Sequence, residues 1–177
     1  MHQLLLLRHA KSSWDDPKLD DRERPLAPRG RQAAASMRLV MRDTGLAPDL
    51  VLVSAARRTR ETAEALEPWD ETPLIELLDE LYLAERDSLI RILNGIAVTV
   101  RSVLVVAHNP GLHDLALTLA GAQTANHADE DMRRLSRGFP TGALAEFSIA
   151  TSWDKLGAGG GRLQRFLVPR DLPTGSA

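Results

Sequence analysis

Residues 102–112 read SVLVVAHNPGL, and the first six of them decide the fold class. An aliphatic, largely β-branched run this short predicts a central strand buried on both faces. Asn109 and Pro110 follow as an N-cap and first-turn pair, opening a helix that runs through Leu119 and closes at Gly121. A strand with two apolar faces needs helices on both sides of its sheet, which is the α/β arrangement.

Working outward, residues 3–7 (QLLLL) and 49–53 (DLVLV) repeat the short buried-strand pattern. Pro28 suits the first position of a helix in which Ala33, Met37, Val40 and Met41 keep helical spacing, with Gly45 as its stop. Ser54 reads as the N-cap of a second helix running through Arg58 to about Leu66. Residues 72–78 predict a short extended segment, and Leu89, Ile92, Leu93 and Ile96 mark an amphipathic helix. Residues 142–150 and 163–168 predict two further strands, the last at an edge. Residues 11–25 read as a loop, residues 123–140 as a polar, charged loop whose helix content the pattern leaves open, and the terminal PTGSA as frayed. Alternating strands and helices predict a three-layer α/β/α sandwich, single-domain over 1–177, with a mostly parallel sheet and one antiparallel edge strand.

Composition narrows the function. Of 177 residues, 44% are hydrophobic and 26% charged, which suits a globular chain with a substantial core. A net charge of -2 and only 4% aromatic residues argue against nucleic acid as a partner. The absence of cysteine removes disulfides, thiolate metal sites and cysteine nucleophiles. The apolar run at Leu4–Leu7 is too short for a signal peptide, and no stretch approaches a membrane span. The expectation is a cytoplasmic protein with no membrane partner.

Three predicted strand ends carry basic or polar groups. The first ends in Arg8-His9, the second in Ser54 ahead of Arg57-Arg58, and the central one in His108-Asn109. In open parallel sheets, ligands bind beyond the carboxyl ends of the strands. Two histidines, at least two arginines and helix N-termini would therefore converge on one crevice, a setting for a phosphate or similar dianion.

These words resemble a known family. LLLLRHAKSSW is similar to the Arg-His signature of the histidine phosphatase superfamily, which includes the phosphoglycerate mutases. PLAPRGRQAA, VSAARRTRETAEAL, Glu80-Leu81-Tyr82 and VLVVAHNPGL resemble four further blocks, in order and at suitable spacing. RHAKSSW, RPLAPRG, ELY and HNPG look closest to its small SixA-like branch, named for a phosphohistidine phosphatase.

The resemblance implies a phosphoglycerate mutase-like fold and assigns roles. His9 is the implied nucleophile, forming a phosphohistidine. Arg8 and Arg58 bind phosphoryl oxygens, Arg58 being selected over Arg57, and His108 donates a hydrogen bond to the transferring group. Glu80 is the candidate general acid, with Asp79 as runner-up. Lys11 and Asn109 are candidate substrate-binding residues, Lys11 either adding charge to the pocket or remaining solvated. With two arginines and His108 supplying charge, the scheme requires neither metal nor cofactor. The partner it implies is a phosphorylated substrate, on protein phosphohistidine or on a small phosphoester.

Two departures stand out. Asp15 occupies a position where many relatives carry asparagine, and Lys11 one where they often carry glutamate. A carboxylate beside phosphate would repel it, so Asp15 is expected to point away. Competing readings are a metal site and a non-catalytic phospho-ligand-binding module. His108 and His113 lie five apart, off the usual i, i+4 pair, so His113 reads more simply as a surface or packing residue.

Overall fold

The computed structural model describes residues 1–125 and 128–172. A single six-stranded sheet forms the middle layer. Its strands are β1 (His2–Arg8), β2 (Leu50–Ser54), β3 (Leu74–Leu78), β4 (Ser102–Ala107), β5 (Leu144–Ile149) and β6 (Gly161–Leu167). They lie in the order β3-β2-β4-β1-β5-β6. The first four are mutually parallel, and β5 runs antiparallel to both β1 and β6. The antiparallel strand is thus β5, inside the sheet. This corrects the expectation of an antiparallel edge, because β6 returns beside β5 and is itself the edge.

The period-two alternation of strand side chains sorts the core into two. Leu4, Leu6, Leu50, Leu52, Val103 and Val105 enter one cluster, and Leu5, Leu7, Val51, Val53, Leu104 and Val106 the other. The first cluster is closed by α3 (Arg86–Asn94), α4 (Gly111–Ala120) and α5 (Glu130–Arg137), through residues such as Leu93, Leu115 and Leu135. The second is closed by α1 (Pro28–Asp43) through Met37 and Met41, and by α2 (Arg57–Glu64) through Ala63. Each leucine of Leu4–Leu7 is at most 1% exposed, a burial contributing roughly 1.5–3 kcal/mol per side chain. No helix among the described residues is long and apolar enough to cross a membrane.

Several local expectations change. Pro28 does open α1. The helix after β4, however, begins at Gly111 with Pro110 in the N-cap position, and Asn109 does not cap it. Helix α2 begins at Arg57 with Ala56 before it, so Ser54 is not its N-cap either. The 123–140 stretch is not merely a loop. It contains α5, whose Asp129 side chain accepts from Met132 N, with Glu130 and Asp131 in its first turn and Arg134 and Arg137 in its last, complementing the helix dipole. Met132 and Leu135 fasten it to the core. The terminal PTGSA lies outside the described residues.

Candidate active site

Parallel pairing brings the three decisive strand ends level. Arg8 pairs with Ala107 across β1 and β4, and Val53 with Val106 across β2 and β4. His9, Ser54 and His108 therefore leave the sheet at one height. His9 and His108, together with Arg8, Arg24 and Arg58, line a cavity of about 210 Å³.

His9 is 8% exposed. Its Nδ1–H donates to the carbonyl of Ala10 at 2.8 Å. That bond fixes the tautomer and leaves the Nε2 lone pair free. Burial is the largest cause of its lowered pKa, about 4, with Arg58, Arg8 and Arg24 adding to the effect against the raising influence of the Ala10 bond. At neutral pH the ring is uncharged. Ala10 is held in turn by Thr62, whose hydroxyl accepts from Ala10 N at 3.0 Å and donates to Arg58 O.

Helix α2 separates its two arginines. Arg57 turns outward to Glu61 at 2.7 Å. Arg58, 4% exposed, turns inward. Its Nη1 donates to the carbonyl of Asp21 at 2.6 Å, and its Nη2 to Asp21 Oδ2 at 2.9 Å and to His108 Nδ1 at 3.4 Å. A guanidinium can only donate, so Nδ1 of His108 is the unprotonated nitrogen and Nε2–H donates to Ser54 Oγ at 2.6 Å. Burial, then His9 and the arginines, push the His108 pKa down to about 3. The rings of His9 and His108 are tilted against each other with centroids 5.3 Å apart.

Arg8 donates to the carbonyl of Phe139 at 2.9 Å, and its buried Nε has no partner among the described residues. Burial and the Arg58 charge both lower its pKa. Asn109 Nδ2 donates to the same Phe139 oxygen at 2.9 Å. The segment after α5 thus sets two pocket side chains. Lys11 lines the cavity from an exposed position. Glu80 and Asp79 do not line it. Both are exposed on a 3-10 turn, Asp79–Leu81, with Asp79 paired to Arg22 at 2.5 Å. Asp15 is exposed and away from the lining, and His113 donates its Nε2–H to Leu135 O at 2.8 Å.

Sequence reasoning did not single out Arg24, Asp21, Ser54 as a His108 partner, Tyr82 or Thr141. Arg24 is 7% exposed and lines the cavity; it bonds Ser13 O at 3.2 Å, Asp21 Oδ1 at 3.1 Å and Ser12 Oγ. Asp21 Oδ2 also accepts from Tyr82 Oη at 2.5 Å. Burial raises the Asp21 pKa, but the Tyr82 and Arg58 hydrogen bonds and the arginine charges outweigh it, and the net shift is downward. Arg24 stands in the RPLAPRG word, so its neighbourhood was marked. Nothing local in the sequence says that its side chain turns inward.

A crevice at parallel strand ends, with one free imidazole nitrogen among arginines, defines a phosphoryl-transfer site of histidine type. Residues 4–88 match the histidine phosphatase superfamily, branch 1. An uncharacterised protein of Mycobacterium leprae is 35% identical over 167 residues, covering 93% of this chain and 100% of that protein. Among solved structures, a protein assigned as phosphohistidine phosphatase SixA from Nakamurella multipartitia superposes with TM-score 0.82 at 28% identity, over 95% of this chain and 96% of that one. Its counterpart from Agrobacterium tumefaciens gives 0.79 at 30% identity, over 95% and 98%. The chain belongs to the histidine phosphatase superfamily, in its small SixA-like branch. It is a histidine-type phosphatase, and its substrate is phosphorylated.

Proposed function

We propose that the protein, acting as one domain over residues 1–177, hydrolyses protein phosphohistidine in two steps through His9. The observation that carries this reading is the Nδ1–H bond from His9 to Ala10 O, which leaves Nε2 as a fixed, neutral nucleophile beside three arginines. Nε2 attacks phosphorus, and the N–P or O–P bond to the leaving group breaks with its electron pair. Water then attacks the phosphohistidine, returning His9 and releasing phosphate. Arg8, Arg58 and Arg24 hold the equatorial oxygens as charge shifts among them. Entry of a dianion favours the charged form of His108, whose Nδ1 then gains a proton and turns from acceptor to donor toward the phosphoryl group. Lys11 and Asn109 contribute at the edge of the same pocket.

The choice of substrate rests on what surrounds His9. No carboxyl group lines the cavity among the described residues: Glu80 stands outside it, and Asp21 is kept ionised by its donors. A donor whose leaving group departs without a strong acid suits such a site. Phosphohistidine, a phosphoramidate with an imidazole leaving group, is of that kind, whereas an alkyl phosphoester is not. The test is a paired assay on a phosphohistidine-bearing phosphotransfer domain and a small aryl phosphate. The expected result is turnover of the protein phosphohistidine that His9→Ala abolishes and that Arg58→Ala lowers by roughly 10²–10³ in kcat/KM. Unchanged turnover by His9→Ala overturns the mechanism. His9-dependent cleavage of the aryl phosphate alone keeps the mechanism and overturns the substrate.

A further inference from the structure

The mouth of the cavity is built differently from its floor. The floor is cationic, yet two of the lining residues are large, apolar and exposed: Trp14 at 71% and Leu83 at 51%. Both are held in place at some cost. Trp14 lies over the guanidinium of Arg24, 3.2 Å from ring centroid to Cζ, and that guanidinium is itself tied to Ser13, Asp21 and Ser12. Leu83 has a φ of 49°, the one non-glycine residue with positive φ among the described residues. A leucine there is strained, and such strain persists only where neighbouring contacts impose it. In the next residue, the carbonyl of Ala84 approaches Gly111 so closely that a Cβ there would stand 1.8 Å from that oxygen.

We propose that Trp14 and Leu83 form a leaving-group subsite that selects phosphoryl groups carried on a flat, weakly polar ring, an imidazole or an aryl group. The inference rests on the phosphatase reading of the His9 pocket and adds its specificity determinant. A phosphoryl group held by the arginines leaves its carrier toward the exposed part of the lining, to which Trp14 and Leu83 belong. A planar ring buries apolar surface on both, and because Trp14 is already immobilised by Arg24, little ordering entropy is lost on contact. A polyol or glycerate carrier would instead desolvate hydroxyls against these two side chains. Lys11, Ser12, Asn109 and Thr141 supply polar groups on the rest of the lining, so Trp14 and Leu83 are its apolar part.

Binding, measured without turnover, tests this independently of the mechanism. Phenylphosphonate and methylphosphonate are titrated into wild type, Leu83→Gly and Trp14→Ala, with calorimetric affinities and a melting curve for each. The expected result is a phenyl-over-methyl preference of roughly tenfold or more in wild type that falls several-fold in each variant. Leu83→Gly should keep its Tm within about 4 °C, because glycine relieves the positive φ while adding unfolded-state entropy. A triazolylphosphonate peptide, a hydrolysis-resistant stand-in for phosphohistidine, separates a protein imidazole from a small aryl carrier, and tighter binding of either ring over methylphosphonate supports the subsite. Equal affinities for all three probes, or a wild-type preference retained in both variants, overturns it. Loss of His9-dependent turnover with the ring preference intact would count against the mechanism alone.

Discussion

His9 and His108 are both neutral in the folded state and both have pKa values pushed down, to about 4 and about 3. In an unfolded chain each returns to about 6.5. Between those limits the unfolded state binds more protons, so stability rises with pH across the window. The contribution is complete above about pH 6.5 and is lost as pH falls toward 3. Equilibrium denaturation of wild type should therefore show a declining midpoint from pH 6.5 downward, and His9→Ala should flatten that decline. The attack proposed for neutral His9 places the acid limb of kcat/KM for the free enzyme near pH 4. Asp21 offers a second test. Its carboxylate receives Arg58, Arg24 and Tyr82 at once, and an amide in its place would point an NH₂ group at donors. Asp21→Asn should lower kcat/KM roughly tenfold, chiefly through KM, because in the proposed mechanism the arginines it orients meet the phosphoryl group already in the ground state. Steady-state kinetics on either phosphate substrate would show it, and an unchanged KM would argue against that orienting role.

Elements decide how these residues meet. The strands and α1 could be read from the sequence because their signals are local: apolar runs, a proline at N1 and a glycine stop. The positions of Arg8, Arg58, His9 and His108 followed from the same runs, since parallel register carries strand ends to one level. Other features depend on distant partners and were not readable. Ser54 has the chemistry of an N-cap, yet its hydroxyl is taken by a histidine 54 residues away. Helix α5 was obscured by its charged surface, although Asp129 capping and the Met132, Leu135 pair were in the sequence. Glu80 stood in a family-like word, but the 3-10 turn leaves it exposed. Gly111 shows how one element sets another. A methyl group there would meet the Ala84 carbonyl at 1.8 Å, so Gly111→Ala must push the segment carrying Tyr82 and Leu83 off α4. The expected cost is about 1–3 kcal/mol by urea denaturation, together with weaker ring-phosphonate binding. A variant of wild-type stability and binding would show that the close approach is dispensable.

At the scale of the molecule, the two edges of the sheet are unlike. On β3, Leu74, Ile75 and Leu77 are 62%, 41% and 57% exposed, and the strand has a neighbour on one side only. An apolar edge of this kind is a template for pairing with other chains. Leu77→Lys should leave stability within about 0.5 kcal/mol, as expected of an exposed site, and reduce self-association by light scattering at high protein concentration. Scattering unchanged by the substitution would place any association elsewhere.

The bond from His9 to Ala10 has a further consequence for how this site can change over generations. Its acceptor is a main-chain oxygen, so no exchange of side chain at position 10 can delete it. Exchange of the side chain at position 10 therefore leaves the acceptor itself in the chain, and only a shift of the main chain can disturb the bond. What constrains position 10 is volume, because Ala10 is wholly buried and a larger side chain would displace the oxygen it could not remove. Selection at that position acts on size, while the chemistry it protects is inherited with the backbone.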